Sequence, residues 1–190
     1  PSVKRAKGES FPVGVEVRNV EDMASFQLTL GFDPKILEAI EASGGALLEG
    51  GEGGYFKSEI DNEKGEVYLV GSTFPTISDD GTLASVSFKA KEEGESLFTF
   101  KNAYLYAPKN TLIPCAILTK KIVVQSRPLS DVNQDWVVDI SDLVIIGKHF
   151  GEAPPTVPEA DINKDGKVDI SDLVLAAQLF GEESGIVAAP

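Results

Sequence analysis

The C-terminal third of the chain contains an internal repeat with an offset of thirty residues. The first copy begins at Asp131 and reads DVNQDWVVDISDLVIIGKHFGE, and the second begins at Asp161 and reads DINKDGKVDISDLVLAAQLFGE. In both copies, acidic and amide side chains alternate at the start and are followed by apolar residues at helical spacing. A period of this length is typical of one supersecondary unit, so we expect two similar loop-helix units here.

The second copy has oxygen-bearing residues at the positions where an EF-hand loop places its calcium ligands. Such a loop needs oxygen ligands at positions 1, 3, 5, 9 and 12, a backbone carbonyl at position 7 and a left-handed turn at position 6. Gly166 stands at position 6, and the predicted ligands, with Lys167 contributing its carbonyl, are Asp161, Asn163, Asp165, Lys167, Asp169 and Asp172. We expect Asp169 to act through a water molecule and Asp172 to close the site as a shorter ligand than the usual glutamate.

The first copy supplies the same kind of ligand set but has a bulky residue, Trp136, at position 6. Left-handed backbone costs such a residue about 1 kcal/mol or more, so we expect this loop to bind less securely. Its predicted ligands are Asp131, Asn133, Asp135, the carbonyl of Val137, Asp139 and Asp142. Carboxylates packed this closely repel one another without a cation, which makes a merely solvated acidic surface the weaker interpretation. The sequence therefore predicts two calcium ions as cofactors.

Apolar residues after each loop predict a helix that ends at a glycine, Gly151 in the first copy and Gly181 in the second. We expect the two helices to bury their apolar faces against each other, namely Leu143, Val144, Ile146 and Phe150 in the first and Leu173, Val174, Ala177 and Phe180 in the second. Metal binding also explains how so small a module folds.

Residues 11–124 consist of short segments in which apolar residues alternate with polar ones, separated by turn signals. In the segment from Ala24 to Phe32 the residues predicted to face away from the core are Ser25, Gln27 and Thr29. Further strands are predicted at 11–20, 36–41, 55–60, 65–72, 81–91, 96–106, 114–118 and 120–125. The glycine-rich segment 43–54 is predicted as a surface loop, and it lacks the ending of a phosphate-binding P-loop.

The alternation predicts a mainly β fold, a β-sandwich followed by a small α domain of two calcium-binding loop-helix repeats. The pattern changes from period two to period 3.6 across the proline-containing connector SRPLS. We therefore expect a sandwich at 1–125, a linker at 126–130 and a calcium-binding domain at 131–190.

Composition narrows the classes of partner. A net charge of −13 repels phosphate backbones and anionic lipid, so nucleic acid and membrane partners are not expected. The chain has no apolar run of about 20 residues, the length that a membrane span needs. Cys115, the only cysteine, lies in the apolar run TLIPCAILT and is expected to be a buried thiol. His149, the only histidine, is expected to have a structural role.

The repeat pair, residues 131–182, resembles the dockerin family. The resemblance rests on two DxNxD loops with aspartate at position 12, on loop-helix units without a preceding helix, and on their repetition. It implies a calcium-dependent plug that docks onto cohesin receptors in cellulosomes and related cell-surface assemblies. The family's partner-selecting positions fall on Ile140, Ser141, Ile170 and Ser171, and their identity in both copies implies docking in two orientations. Ile-Ser replaces the serine-threonine pair common in clostridial members, so partner specificity is not carried over.

Residues 4–124 resemble the cohesin family, the receptors for dockerins. The resemblance is carried by GESFPVGVEVRNVEDMASFQLTLGFDPKILEAIEA and DDGTLASVSFKAKEEG, and it implies a jelly-roll β-sandwich. In that family the dockerin-binding face includes the strand that matches Ala24–Gly31. The outward residues Ser25, Gln27 and Thr29 are therefore candidates for partner contact, with a solvated sheet face as the alternative.

Together the two modules favour a non-catalytic adaptor that assembles proteins through cohesin–dockerin recognition, with dockerin- or cohesin-bearing partners. The alternative is a carbohydrate-binding sandwich that carries a dockerin, because sandwiches display aromatic platforms for sugars. Four tyrosines could stack on a sugar, although core packing explains several of them more simply: Tyr55, Tyr68, Tyr104 and Tyr106. An enzyme is not expected, because a glycoside hydrolase needs two carboxylates about 5 to 10 Å apart in a cleft and the pattern predicts none.

Calcium also bears on location. Extracellular calcium is concentrated enough to saturate such loops, so we expect a secreted or cell-surface protein. No basic-then-apolar leader follows Pro1, and any signal peptide is expected to lie outside this segment. A linker of about five residues spans at most about 17 Å, so we expect recognition between chains, including self-association in trans.

Overall fold

The computed structural model of the chain describes residues 2–49 and 54–181. The chain divides into two compact units, Pro1–Val124 and Gln125–Pro190. In the described residues the strands are β1 (Ser2–Ala6), β2 (Ser10–Val17), β3 (Met23–Gly31), β4 (Leu37–Gly44), β5 (Tyr55–Asp61), β6 (Glu66–Ile77), β7 (Gly81–Ala90), β8 (Gly94–Leu97), β9 (Thr99–Ala107), β10 (Thr111–Ile113) and β11 (Lys121–Gln125). The helices are α1 (Ala46–Glu49), α2 (Ile140–Lys148) and α3 (Ile170–Gln178).

The strands form three sheets. The largest has the order β10-β9-β3-β6-β5, and the two smaller ones have the orders β2-β7-β4 and β1-β11-β8. Strand β3 pairs antiparallel with both β6 and β9, and β7 pairs antiparallel with both β2 and β4. The mainly β sandwich followed by a small helical unit is confirmed, whereas the linker bounds 126–130 stay a prediction.

One hydrophobic core holds the sheets together. Phe88 of β7 is fully buried at its centre, and its ring centroid lies 5.1 Å from that of Phe32, 5.1 Å from that of Phe98 and 6.3 Å from that of Phe11. Phe11 is the partner of Phe88 in the neighbouring strand β2, and Phe32 and Phe98 lie just outside the strands. Aromatic pairs at such distances stabilise a core beyond their area burial, so Phe88 is the centre of an aromatic cluster in this core.

Strand β3 shows why the period-two pattern predicts this sheet. Phe26, Leu28 and Leu30 are buried in the core, and the intervening residues lie on the outer face. Successive side chains of a strand point to opposite faces, which fixes the register wherever one face is buried. The outward set predicted from the sequence is half-buried: Ser25, Gln27 and Thr29.

The apolar run around Cys115 does not form the predicted strand 114–118. Strand β10 ends at Ile113, and residues 114–120 have no regular structure. Pro114 has no amide hydrogen to donate to a sheet, which is a physical reason for the strand to stop there. The expected buried thiol is therefore wrong, because Cys115 is exposed.

The glycine-rich segment is also more ordered than predicted. Strand β4 extends to Gly44, and the short helix α1 follows it. Leu48 of this helix is only 7% exposed and belongs to the main core. The prediction of a loop followed from the glycines alone, whereas the four residues of α1, ALLE, are good helix formers.

The second unit has a small core of its own. Ile146 of α2 and Ala176 of α3 are fully buried, with Leu143 and Leu173 packed against them. Backbone bonds tie the repeats together, because the amide of Gly151 donates to the carbonyl of Val168 at 2.8 Å.

None of the helices in the described part of the chain has the length and hydropathy to cross a membrane.

Candidate calcium loops and recognition faces

The first loop, residues 131–142, is folded around the carboxylate of Asp131, whose side chain has no exposed surface. Its Oδ1 accepts a hydrogen bond from the amide of Asp135 at 3.0 Å, and its Oδ2 accepts one from the amide of Trp136 at 2.9 Å. Burial raises the pKa of Asp131, against the lowering effect of these amides. A buried carboxylate in this position is costly unless a cation compensates its charge.

Asp142 closes the same loop from the first turn of α2, and it is fully buried. Its Oδ1 accepts from the amide of Asn133 at 3.0 Å and its Oδ2 from the amide of Asp139 at 2.9 Å. Asp139 in turn caps the helix, since its Oδ1 accepts from the amide of Ser141 at 2.7 Å. The closing carboxylate is therefore fixed by both the loop and the helix start.

The second loop, residues 161–172, repeats this arrangement. Asp161 accepts from the amides of Asp165 at 3.1 Å and Gly166 at 2.9 Å. The fully buried Asp172 accepts from the amides of Ile162, Asn163 and Asp169 at 2.8, 3.2 and 2.9 Å. Asp169 caps α3, and the hydrogen bond from the Ser171 amide lowers its pKa. The two halves of the repeat thus fold alike.

The remaining predicted side-chain ligands lie at the open side of each loop. Asn133 and Asp135 are exposed, and the Asn133 Oδ1 accepts from the Asp135 amide at 2.9 Å. Asn163 and Asp165 make the same bond at 2.9 Å. Short side-chain-to-backbone bonds of this type shape the turn and leave further oxygen lone pairs available for a ligand.

Position 6 of both loops is left-handed, as predicted, with φ of 77° at Trp136 and 87° at Gly166. Position 4 is left-handed too, with φ of 65° at Gln134 and 59° at Lys164. Residue type did not predict this second turn, because neither residue favours the conformation. Both loops therefore turn twice within their first six residues and direct their backbone amides inward.

The oxygen donors of each loop fit a calcium ion in kind. Carboxylates, an amide oxygen and the carbonyl of Val137 or Lys167 are the hard oxygen ligands that Ca²⁺ prefers. Counting only acidic, histidine and cysteine side chains, no three of them converge on a metal position within residues 2–49 and 54–181. The proposed calcium ligands also include an asparagine side chain and a backbone carbonyl, which a search for acidic, histidine and cysteine side chains leaves out.

The helix faces differ from the prediction. Leu143, Ile146 and Leu173 pack in the core as expected, but the other predicted residues do not. Ala176, rather than Ala177, is buried, because the core stripe of α3 continues from Asp172 at a spacing of four residues. Five residues expected to be buried are exposed instead: Val144, Phe150, Val174, Ala177 and Phe180.

The exposed valines and phenylalanines of the two repeats, together with the isoleucine at the start of each helix, form a set of residues that occurs twice, which we term the duplicated apolar surface. Each member of the first repeat has a counterpart of nearly equal exposure in the second: Ile140 and Ile170 at 62% each, Val144 and Val174 at 46% and 48%, and Phe150 and Phe180 at 53% and 52%. Ser141 and Ser171 are exposed beside the isoleucines. The structure thus brings the partner-selecting positions predicted from the sequence onto exposed helix starts.

The outer face of the five-stranded sheet carries all four tyrosines of the protein. Tyr106 lies opposite Ser25, Tyr104 opposite Gln27 and Tyr68 opposite Thr29 in the antiparallel register. On the edge strand β5, Tyr55 lies opposite Ser72, which is itself opposite Ser25. Directly opposed residues share a face, so the predicted set of β3 lies within a tyrosine-rich surface.

None of these tyrosines belongs to the core. Tyr55 is 54% exposed and Tyr104 is 40% exposed, and Tyr68 and Tyr106 are half-buried. The interpretation of several of them as core aromatics is therefore wrong. Period-two alternation assigns residues to alternate faces, but it does not say which face of a sheet is covered. We term Ser25, Gln27, Thr29 and the four tyrosines the tyrosine face.

Comparison with protein-family models matches residues 1–124 to the cohesin domain and residues 129–180 to the dockerin type I domain. No curated protein matches the chain. Domains of both families are non-catalytic assembly domains.

Solved structures share the sandwich fold at low sequence identity. A non-cellulosomal cohesin from the archaeon Archaeoglobus fulgidus has 20% identity and a TM-score of 0.57, over 65% of this chain and 86% of that one. The Coh-OlpC-Doc435 cohesin–dockerin complex from Clostridium thermocellum has 20% identity and a TM-score of 0.56, over 66% of this chain and 90% of that one. The third cohesin of ScaC from Acetivibrio cellulolyticus, in complex with the ScaB dockerin, has 19% identity and a TM-score of 0.58, over 66% and 96%.

At these identities the solved structures establish the fold alone, whereas the family models cover both units of the chain. The tyrosine-rich sandwich and the paired loop-helix repeats lie in the residues that the two models match. The chain therefore belongs to the cohesin family and continues into a dockerin type I domain.

Proposed function

We propose that this protein is a non-catalytic extracellular adaptor that joins proteins through cohesin–dockerin recognition. Two complementary modules in one chain, a receptor sandwich and a plug, support this role most strongly. The sandwich binds a dockerin-bearing protein, and the plug binds a cohesin-bearing protein. Two of the solved relatives are described as cohesin–dockerin complexes, which agrees with partners of this kind.

Calcium is proposed as a structural cofactor, with one ion in each loop. In the first loop Asp131, Asn133, Asp135, the Val137 carbonyl, Asp139 and Asp142 would hold it. In the second loop the ligands would be Asp161, Asn163, Asp165, the Lys167 carbonyl, Asp169 and Asp172. The positive charge of the ion balances the negative charges of the buried carboxylates, and binding thereby stabilises the folded plug.

The tyrosine face is proposed as the receptor surface of the sandwich. Ser25, Gln27 and Thr29 lie in the middle strand of the five-stranded sheet, where tyrosines of the neighbouring strands surround them. Tyrosine is enriched at protein interfaces because it offers a large apolar ring together with a hydroxyl group. A half-buried polar centre with aromatic neighbours suits contact with helices of a plug.

The duplicated apolar surface is proposed as the docking surface of the plug. Ile140 and Ser141 in one repeat and Ile170 and Ser171 in the other present the same chemistry at the start of each helix. Because the two repeats are alike, either can take the same place on a receptor. We therefore propose docking in two orientations related by the internal repeat.

Sedimentation velocity of the full chain, with calcium and with excess chelator across a concentration series, tests whether the partner is a second copy. Growth that needs both calcium and concentration indicates docking of plugs onto sandwiches of other copies. A monomer at all concentrations indicates that the partners are other proteins. Titration with a panel of purified type I cohesins and dockerins then tests the assembly role, and a lack of binding to every member contradicts it.

A matched pair of variants locates the receptor surface. Gln27→Arg places a bulky charge at the centre of the tyrosine face and is expected to weaken dockerin binding at least tenfold, or about 1.4 kcal/mol. Ser87→Arg is the control, because Ser87 is a half-buried outward residue of β7 in the opposite sheet. Equal effects of the two variants on affinity contradict the assignment.

A second candidate function follows from the tyrosines. Exposed aromatic rings on a sheet also stack on sugars, so the tyrosine face supports a carbohydrate-binding role as the alternative. Titration with soluble cellulose- and xylan-derived polysaccharides distinguishes the two. Binding that Tyr104→Ala abolishes favours the sugar role, and its absence leaves the protein-binding role.

A further inference from the structure

An arginine from the connector reaches the first calcium loop. The guanidinium carbon of Arg127 lies 4.8 Å from the centroid of the Trp136 ring, and its Nε lies 3.6 Å from the Oδ2 of Asp131. The Arg127 side chain is 24% exposed, and the Asp131 side chain is fully buried. A guanidinium over an aromatic ring is held there by cation–π attraction. Sequence reasoning missed this residue, because Arg127 lies outside the repeat.

The contact is electrostatic and not a hydrogen bond. The Nε of Arg127 is buried and has no hydrogen-bond partner. A buried donor that goes without a partner lowers stability, so attraction to the Asp131 carboxylate and to the ring must outweigh that cost. Position 1 of the loop therefore already has a cation beside it.

The second loop has no equivalent. At an offset of thirty residues, Val157 stands where Arg127 stands and Gly166 stands where Trp136 stands. Lys164 and Lys167 belong to this loop, but both are exposed. Among the described residues no basic side chain forms a salt bridge with a carboxylate of the second loop. Solvent screens exposed charges far more than buried ones.

We infer that Arg127 makes the first loop the weaker of the two calcium sites, so that the second loop fills first. This inference rests on the proposed calcium role of both loops. A fixed positive charge beside the position 1 carboxylate repels an incoming dication and shares the charge that the dication would otherwise neutralise. The left-handed backbone of Trp136 adds to the cost of forming the same loop.

The single tryptophan makes the difference measurable in the intact chain. Trp136 is the only tryptophan, and it lies inside the first loop, so its fluorescence responds most directly to that loop. Isothermal titration of the calcium-free chain reports both loops. We expect a tighter binding step with the smaller change in Trp136 fluorescence, followed by a weaker step with the larger change.

Two variants separate charge from packing. Arg127→Gln removes the charge and is expected to tighten the first loop about tenfold, with the second loop unchanged. Arg127→Lys keeps the charge but loses the planar stack on Trp136, and its first loop is expected to stay weak. Arg18→Gln, which removes the same charge from an exposed residue of the sandwich, is the control and should alter neither step. Circular dichroism in saturating calcium checks that each variant is folded.

Each outcome decides one question. A change in Trp136 fluorescence that is larger in the tighter step, or two steps of equal affinity, overturns the inference but not the proposed calcium role. A first loop that is weakened by Arg127→Gln as much as by Arg127→Lys overturns it too, because Arg127 would then be only a packing residue. A titration without calcium binding at either loop overturns the proposed calcium role and the inference together.

Discussion

Two glycines of the plug differ in backbone conformation, one left-handed and the other helical. Gly166 has φ of 87°, and Gly147 lies within α2; a Cβ at either position would meet no atom within 4 Å. Space is therefore equal at the two positions, and only the backbone conformation differs.

This pair gives a stability prediction. Gly166→Ala is expected to lower the free energy of unfolding by about 1 kcal/mol, because alanine is strained in left-handed backbone. Gly147→Ala is expected to raise it by about 0.5 to 1 kcal/mol, because alanine loses less backbone entropy in a helix. Denaturant unfolding followed by Trp136 fluorescence measures both, and changes of the same sign would contradict the assigned backbone conformations.

Asp172 gives a prediction about the metal. Asp172→Asn removes one negative charge from the fully buried closing residue, so the calcium affinity of the second loop is expected to fall at least about tenfold. Asp79→Asn, at an exposed position outside both loops, is the control. Isothermal titration measures the change, and an unaltered tighter step would show that Asp172 is not a ligand.

Single residues also show what the sequence can predict. The turns at position 6 followed from residue spacing, because each loop is a local structure built from nearby residues, whereas the ligand roles of its residues stay a proposal. Cys115 was misjudged because the apolar run around it forms no strand. Several tyrosines were misjudged because their exposure depends on which sheet face is covered, and that is decided by distant parts of the chain. Arg127 carries no local signal, because its role depends on two residues that the fold brings to it.

Among the elements, helix α1 packs on the main core through Leu48, with the partly buried Leu47 beside it. Leu48→Ala is expected to destabilise the sandwich by about 2 to 4 kcal/mol, because it leaves a cavity in the main core. Leu118→Ala is the matched control, since Leu118 is 91% exposed and its truncation is expected to cost little. Thermal or denaturant unfolding of the sandwich tests the pair, and a similar small loss for both would show that α1 is not part of the core.

The turn after α2 is held by a carboxylate. Glu152 accepts from the Thr156 hydroxyl at 2.6 Å and from the Thr156 amide at 2.7 Å, and its Oε1 lies 2.9 Å from the Nδ1 of His149. These hydrogen bonds, with those from Thr156 the largest cause, lower the pKa of Glu152 to about 2. His149 thus has the structural surroundings that the sequence predicts.

A pH dependence follows from the lowered pKa. The carboxylate contributes stability that is fully present above its usual pKa of 4.5 and is lost as the pH falls from there towards about 2. Glu152→Gln is therefore expected to flatten the loss of plug stability over this window, whereas the exposed Glu159→Gln is expected to leave it unchanged. The free energy of unfolding of both variants, measured between pH 2 and 6, tests this, and the same pH dependence in both would contradict it.

Elements differ in how well the sequence predicts them. Strands such as β3 alternate strictly, and the structure has them within a few residues of the predicted bounds. The predicted strand 114–118 failed, and so did the loop predicted at 43–54 where the structure describes it, because an apolar run and a glycine-rich run each suit more than one structure. Residues 50–53 of that loop lie outside the described residues. The prediction of the buried faces of α2 and α3 was partly wrong. The buried carboxylates Asp142 and Asp172 belong to the inward-facing stripe of each helix, and the spacing of apolar residues alone does not reveal this.

In the whole molecule, two separate cores imply two separate stabilities. Among the described residues the sandwich core contains no residue of the calcium loops, whereas the plug core includes Val132, Ile162 and Val168 from them. In excess chelator we expect α2 and α3 to lose amide protection while the strands of the sandwich keep theirs. Hydrogen exchange measured by mass spectrometry tests this, and equal loss in both units would contradict it.

The four tyrosines lie on one face of the sandwich, and the only tryptophan lies in the plug. Tyrosine emission overlaps tryptophan absorption, so light absorbed on the receptor face of one chain can be emitted from the plug of another. Assembly of copies would then be visible as energy transfer that increases with protein concentration between unlabelled modules, and replacing Trp136 in every copy would remove the signal. The chain carries its own donor and acceptor on the two parts that are proposed to meet.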